Sequence, residues 1–101
     1  MSQCCPKNMF KFFKAMHDAV RLEIIALLKD KGELNVSDIV KHVGLSQPTV
    51  SHHLKILCEA KIISSRKKGK NVYYALCDKY IEGCFMSFLA WHGKKGRKSP
   101  S

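Results

Sequence analysis

Two short helical segments separated by a turn restrict the fold more than any other part of this 101-residue chain. Asn35 is a suitable N-cap for the first segment, VSDIVKHV, and Gly44 is a suitable stop for it. Ser46 can cap the second segment, in which Pro48 falls in the first turn, where a helix tolerates proline. Two helices joined by a short glycine-containing turn predict a helix-turn-helix.

The flanking segments complete one small domain. Apolar residues at helical spacing predict a first helix over residues 9–16 and a second one that starts after Asp18 and ends near Gly32. Two β-rich segments, 62–66 and 72–76, surround a Lys/Gly turn and predict a hairpin; the stripe from Cys77 to Phe88 predicts a last helix. The predicted fold class is α+β, mainly α, in the order α-α-α-α-β-β-α. The domain covers residues 9–92, between a flexible arm (1–8) and a basic, disordered tail (93–101).

The charge balance favours a polyanionic partner. Eighteen Lys and Arg against eight Asp and Glu leave a net charge of +10, and nucleic acid is the commonest partner of so basic a small chain. No apolar run is long enough to span a membrane and no signal-peptide pattern is present, so we expect a cytoplasmic protein whose five cysteines are thiols rather than disulfides. We see no nucleophile–base pairing, glycine-rich phosphate loop or carboxylate pair, and expect no enzyme.

The second helix of the helix-turn-helix has the chemistry of a DNA-recognition helix. Gln47 can read a base edge, and hydroxyl groups near a helix N-terminus suit phosphate. The basic hairpin that follows is typical of a wing that grips the DNA backbone. A plain cap and a solvated loop would explain each part alone; their order and the net charge favour DNA. The predicted DNA-binding residues are Ser46, Gln47, Thr49, Ser51, His52 and Lys55, with Arg66, Lys67, Lys68 and Lys70 at the wing tip.

The segments AMHDAVRLEIIALL, LSQPTVSHHLKIL and SSRKKGKNVYYAL together strongly resemble the ArsR/SmtB family of small winged-helix repressors. The resemblance covers roughly Phe10 to Leu89. It implies a winged helix-turn-helix that dimerises through its first and last helices, binds double-stranded operator DNA at two related half-sites, and leaves it when an inducer binds. Apolar stripes on both helices fit this role, and the expected interface residues are Phe10, Phe13, Ile81, Phe85 and Phe88.

Two metal sites known in this family are not expected here. The last-helix zinc site needs an Asp-x-His pair followed by a histidine and an acidic residue; Asp78 matches, but Tyr80, Trp91 and Lys94 occupy the other places. The second site uses a CxC pair in the third helix. The matching stretch here is ELNVSDI, in which Asn35 and Ser37 replace both thiols.

The remaining histidines and cysteines leave alternatives open. His53 lies on the apolar face of its helix and is expected to pack there, whereas His52 points toward DNA; the two are about 100° apart and cannot share one ion. Cys4, Cys5, Cys58 and Cys84 are candidates for a soft-metal, metalloid or redox site, because thiolates prefer such ions. Equally, Cys84 can be a small core residue and Cys4 and Cys5 exposed thiols. A second hypothesis for the whole chain is a soft-metal or redox-binding protein with a vestigial DNA-binding motif.

Overall fold

The fold is a winged helix-turn-helix, mainly α, as predicted. The computed structural model describes the backbone of residues 6–94 and the side chains of residues 9–90. The arm and tail predicted for residues 1–8 and 93–101 fall mostly outside this part. The elements are α1 (Pro6–Met16), α2 (Ala19–Lys31), β1 (Leu34–Asn35), α3 (Val36–Val43), α4 (Gln47–Glu59), β2 (Ile63–Lys68), β3 (Asn71–Leu76) and α5 (Asp78–Lys94). The five helices and the hairpin follow the predicted order α-α-α-α-β-β-α, to which the structure adds the two-residue strand β1.

The helix boundaries predicted from the sequence are confirmed at three residues. The Asp18 carboxylate accepts hydrogen bonds from the backbone N–H groups of Val20 and Arg21 at 2.9 and 3.1 Å. The Asn35 side chain accepts one from the Asp38 N–H, also at 2.9 Å. Gly44 ends α3 at φ +77°, in the left-handed region that favours glycine, so the chain can turn sharply into α4.

A three-stranded antiparallel sheet in the order β1-β3-β2 carries the wing. Its hairpin runs from the pair Ile63 and Leu76 to the pair Lys68 and Asn71. The strands therefore continue closer to the turn than the predicted segments 62–66 and 72–76. Gly69 has φ +63° at the first central position of the two-residue turn, where tight hairpin turns require a positive φ.

One hydrophobic core fastens α4 to the rest of the domain. The face of α4 that points inward consists of Val50, Leu54 and Leu57, all essentially without solvent exposure. Because these three side chains are enclosed, the opposite face of α4 is fixed toward solvent. The other fully buried side chains come from α1, α2, α3 and α5 and from the start of the hairpin: Phe12, Ile24, Ile39, Ile62, Ile63 and Cys84.

The last helix begins one residue later than its apolar stripe suggests. Cys77 precedes α5 rather than belonging to it, and its N–H donates to the Ile62 carbonyl at 2.9 Å. This bond ties the end of β3 to the chain that leaves α4. Across residues 6–94, no helix is long and apolar enough to cross a membrane.

Candidate nucleic-acid interface

The recognition helix presents a polar face to solvent. All six residues predicted to contact DNA from α4 and its cap are exposed: Ser46, Gln47, Thr49, Ser51, His52 and Lys55. His52 and Lys55 lie on the side of α4 opposite to its buried residues, and Thr49 and Ser51 lie on the flanks, since successive residues are about 100° apart. The structure therefore brings these groups together on one exposed surface, with Gln47 at its N-terminal end.

Two hydroxyl groups at the start of α4 have different roles. The Ser46 hydroxyl accepts from the Thr49 N–H at 3.4 Å and donates to the Thr49 hydroxyl at 2.9 Å, so it is already used as the helix cap. The Thr49 hydroxyl accepts that bond and keeps its own hydrogen to donate. A phosphate at this helix N-terminus would therefore be bound by Thr49 rather than by Ser46.

Arg21 lies on α2 and connects the recognition helix, α4, to α1. Its Nε donates to the Ala15 carbonyl of α1 at 2.6 Å, and its NH1 lies 3.1 Å from Nδ1 of His53 on α4. A guanidinium group has only donors, so Nδ1 of His53 is the acceptor in this contact. Asp18 completes the cluster; the hydrogen bond from the Arg21 backbone N–H lowers the pKa of its carboxyl below the ordinary value. His53 is half-buried, as its place on the inner face predicted.

An acidic residue holds the wing. Arg66 donates from one nitrogen to both carboxylate oxygens of Glu33 at 3.0 Å, and Nζ of Lys68 is 3.7 Å from the same carboxylate. Glu33 directly precedes β1, so this contact fastens the hairpin to the strand at its base. The four predicted wing residues are all exposed, but Arg66 and Lys67 lie within β2 and pair with Tyr73 and Val72. Their predicted place at the tip was wrong; Lys70 does lie in the turn.

The first and last helices share an apolar surface that their own side chains leave uncovered. Phe13 packs edge-on against Phe85 and Phe88, with ring centroids 5.5 and 5.4 Å apart, so α1 and α5 are in contact. Of the expected interface residues, Phe13 and Ile81 are half-buried and the others are exposed, Phe10 by 68% and Phe85 by 42%. Met86 and Leu89 extend the surface, at 65% and 63% exposed.

The candidate cysteines lie in unlike environments. Cys4 and Cys5 fall outside the described residues. Cys84 has no exposed surface and belongs to the core, which leaves an ion no open path to it. Cys58 is half-buried in the last turn of α4 and lines a cleft together with Cys77, which the sequence did not single out. Burial raises the pKa of the Cys58 thiol, and the nearby Cys77 thiol adds to the increase.

Comparison with known proteins identifies the family. Residues 18–65 match the family described as "Bacterial regulatory protein, arsR family". The transcriptional repressor SdpR of Bacillus subtilis is 45% identical over 64 residues, which cover 63% of this chain and 70% of SdpR. An arsenical resistance operon repressor of Staphylococcus xylosus is 37% identical, covering 75% of this chain and 72% of its own length. The chain belongs to the ArsR family.

A solved structure agrees with this assignment. Reduced HlyU from Vibrio cholerae has a TM-score of 0.68 at 31% identity, covering 83% of this chain and 85% of HlyU. As a member of the ArsR family, the protein is a DNA-binding transcriptional repressor of the winged helix-turn-helix type, which confirms the resemblance found in the sequence. The polar face of α4 and the basic hairpin are the parts of the domain that suit DNA.

Asp78 and Tyr80, the two positions of the last-helix zinc site whose side chains are described in this ArsR protein, have other contacts. Asp78 lies 3.9 Å from Nζ of Lys29, and Tyr80 packs edge-on against Phe12 with centroids 6.4 Å apart. Within residues 9–90, no group of three or more His, Cys, Asp or Glu side chains is placed to hold a metal ion.

Sequence reasoning missed three residues that shape this ArsR domain. Arg21 had a signal, because it stands in the quoted segment AMHDAVRLEIIALL, but no partner was assigned to it. Glu33 had none, since its partner Arg66 is 33 positions away. Cys77 was placed on the α5 stripe, and only the fold brings it to the cleft beside Cys58.

Proposed function

We propose that this repressor binds double-stranded operator DNA as a homodimer and leaves it when a thiol-directed inducer, a soft metal or metalloid ion or an oxidant, reacts with the protein. The observation that carries the proposal is the exposed polar face of α4 beside the basic hairpin. The buried side of α4 is fixed in the core, so this face is presented without further folding.

The residue types indicate which side chains contact bases and which contact phosphate. Gln47 and Ser51 read base edges in the major groove, because amide and hydroxyl groups match donor and acceptor patterns there. Thr49, Lys55 and the wing bases contact phosphate, which fixes register without reading sequence. His52 contacts either a base or the backbone from the same face. Arg21 holds the helix at its angle through His53.

A second copy of the chain is the natural cover for the apolar surface of α1 and α5. Phe10 on α1 and Phe85, Met86 and Leu89 on α5 are all exposed apolar side chains. Contiguous apolar patches of this kind mark association sites on soluble proteins. A two-fold dimer would place two α4 helices on half-sites about one DNA turn, ~34 Å, apart.

Mutations in α4 and in the wing test the DNA interface separately. Gln47→Ala and Ser51→Ala should weaken binding to the operator by about 1–3 kcal/mol per subunit at one base position while leaving binding to unrelated DNA unchanged. Arg66→Ala/Lys68→Ala should weaken binding to every sequence and reduce the salt slope by about 0.9 for each phosphate that is no longer neutralised. Fluorescence anisotropy over a salt series measures both effects.

The same measurements separate the proposal from its main alternative. The wing assignment fails if the double variant binds as tightly as the wild type at every salt concentration. If the wild type shows no preference for DNA upstream of its own gene, the protein is better described as a soft-metal or redox-binding protein with a vestigial DNA-binding motif.

A further inference from the structure

A cleft of about 470 Å³ lies where the end of α4, the start of the wing and the start of α5 meet. It is separate from the polar face of α4 and from the apolar surface of α1 and α5. Two of its lining residues carry thiols, and three carry hydroxyl groups. The lining residues are Cys58, Lys61, Ile63, Ser64, Ser65, Cys77 and Tyr80.

Backbone hydrogen bonds hold the two cysteines on the same cleft. The Cys58 carbonyl accepts from the Lys61 N–H at 2.9 Å, which closes the turn after α4. The carbonyl of Ile62, the next residue, accepts from the Cys77 N–H, also at 2.9 Å. Lys61 adopts φ +63°, outside the usual range for a residue with a side chain, to make this turn. The chain thus returns from the wing directly beside the last turn of α4, and neither cysteine is part of a disulfide.

The two thiols are better suited to bind a soft ion than to carry negative charge as free thiolates. Burial disfavours the thiolate of Cys58, and a second thiolate at Cys77 would disfavour it further. A thiophilic ion removes this cost, because it displaces both protons and offsets the negative charge. Two sulfur ligands are enough for an ion that prefers low coordination or that already carries an organic substituent.

We propose that Cys58 and Cys77 form a two-thiol binding site for thiophilic metal or metalloid species, and that ligation at this site lowers the affinity of the protein for DNA. The predicted loss of DNA affinity rests on the proposed function. The cleft touches the C-terminal end of the recognition helix, β2 of the wing and the beginning of α5. Drawing the two sulfurs onto one atom therefore changes the angle of α4 relative to the wing and to the helix expected to form the dimer.

Phenylarsine oxide is a suitable probe, because it captures two nearby thiols. In this reaction PhAs=O and two protein thiols give PhAs(S-protein)₂ and one water; two As–S bonds form, the As=O bond is lost, and the two thiol protons leave with the oxygen. Arsenic stays trivalent, so the step needs no oxidant or reductant. A dithiol competitor reverses the adduct, whereas a monothiol does not.

The decisive variant keeps only the two cleft thiols. Cys4→Ser/Cys5→Ser/Cys84→Ala retains Cys58 and Cys77 and should bind one equivalent of phenylarsine oxide per chain in intact-mass spectra, resistant to excess monothiol. Adding Cys58→Ser or Cys77→Ser to this background should abolish the stable adduct. A thermal melt of each variant establishes that it is folded, and the triple variant tests the site without altering the cleft itself.

The effect on DNA is measured on the same proteins by fluorescence anisotropy. We expect the adduct to weaken operator binding of the triple variant at least tenfold, and the same reagent to leave the two single-thiol derivatives unaffected. A triple variant that loses the adduct to monothiol, or that keeps its DNA affinity when fully loaded, overturns the inference. If either of these results is found but the unloaded protein binds operator DNA tightly, the proposed function still holds. If the protein forms the stable adduct but the unloaded protein binds no DNA, the proposed function is overturned instead.

Discussion

Replacing Glu33 with glutamine should make the protein bind DNA more tightly. The Glu33 carboxylate holds Arg66 through two 3.0 Å contacts and lies 3.7 Å from Nζ of Lys68. Both basic groups are expected to contact phosphate, so the carboxylate and the DNA backbone compete for them. Glutamine has nearly the same shape as glutamate but carries no charge, and it removes this competition without opening space.

The size of the effect follows from the exposure of the pair. The Arg66 side chain is 62% exposed and that of Glu33 is 30% exposed, so the interaction belongs with surface ion pairs of about 0.2–1 kcal/mol. A dimer has two wings, which doubles the expected increase in binding free energy to about 0.4–2 kcal/mol. That corresponds to roughly a twofold to thirtyfold lower Kd. Freeing Arg66 should also steepen the salt slope by about 0.9 for each additional phosphate that the wing neutralises.

Fluorescence anisotropy with operator and unrelated duplexes, between low and physiological salt, tests this prediction. Glu23→Gln is the matched control, because it changes the net charge equally and lies on α2, where it lines a different cleft with His42. Glu33→Gln should bind both duplexes more tightly, and Glu23→Gln should resemble the wild type. Equal affinities and equal slopes for wild type and Glu33→Gln would show that Arg66 does not exchange Glu33 for phosphate.

Three further predictions concern stability, titration and assembly. Asp18→Ala should lower the free energy of unfolding, measured by urea denaturation at pH 7, by about 1 kcal/mol, because α2 loses its cap. The pKa of Asp18 is lowered in the folded state, so the stability advantage of the wild type should be present above pH 3.8 and should disappear as the pH falls through the folded pKa. The rate of Cys58 alkylation by iodoacetamide should rise with pH, and the midpoint of this rise should lie above the ordinary thiol pKa of 9.0. In urea, which unfolds the protein, the midpoint should move down to that value. Leu89→Glu should shift the dimer toward monomer in light scattering while the circular dichroism spectrum at low temperature stays that of a folded protein, since Leu89 is 63% exposed within one chain and adds no buried packing there.

The parts of the fold that depend on neighbours in sequence were predictable. Asp18, Asn35 and Ser46 cap helices through bonds to groups two or three residues away, and their residue types alone indicate the helix starts. The spacing of Val50, Leu54 and Leu57 likewise indicates the inner face of α4 and, by exclusion, the DNA-facing side. The polar residues of the candidate interface followed from that periodicity.

Features set by distant contacts were not predictable. β1 is only two residues long and exists because Leu34 and Asn35 pair with Tyr74 and Tyr73, which no local pattern encodes. Arg66 has the composition of a DNA-contacting wing residue, yet Glu33 engages it across 33 positions. Helical spacing placed Cys77 with Cys84, whereas the turn after α4 brings Cys77 to Cys58.

The short length of β1 has a consequence for how the wing moves. Beyond Tyr73, the pairs formed by Lys67 and Lys68 with β3 have no third strand beside them in the described part of the chain, and an isolated two-stranded ribbon is only marginally stable. Amide hydrogens near Gly69 should therefore exchange with solvent rapidly, while those at Ile63 and Leu76 exchange at rates close to the limit set by global unfolding. The hairpin is stiff at its base and compliant at its end, so Lys68 and Lys70 can follow variations in groove width while α4 keeps its position.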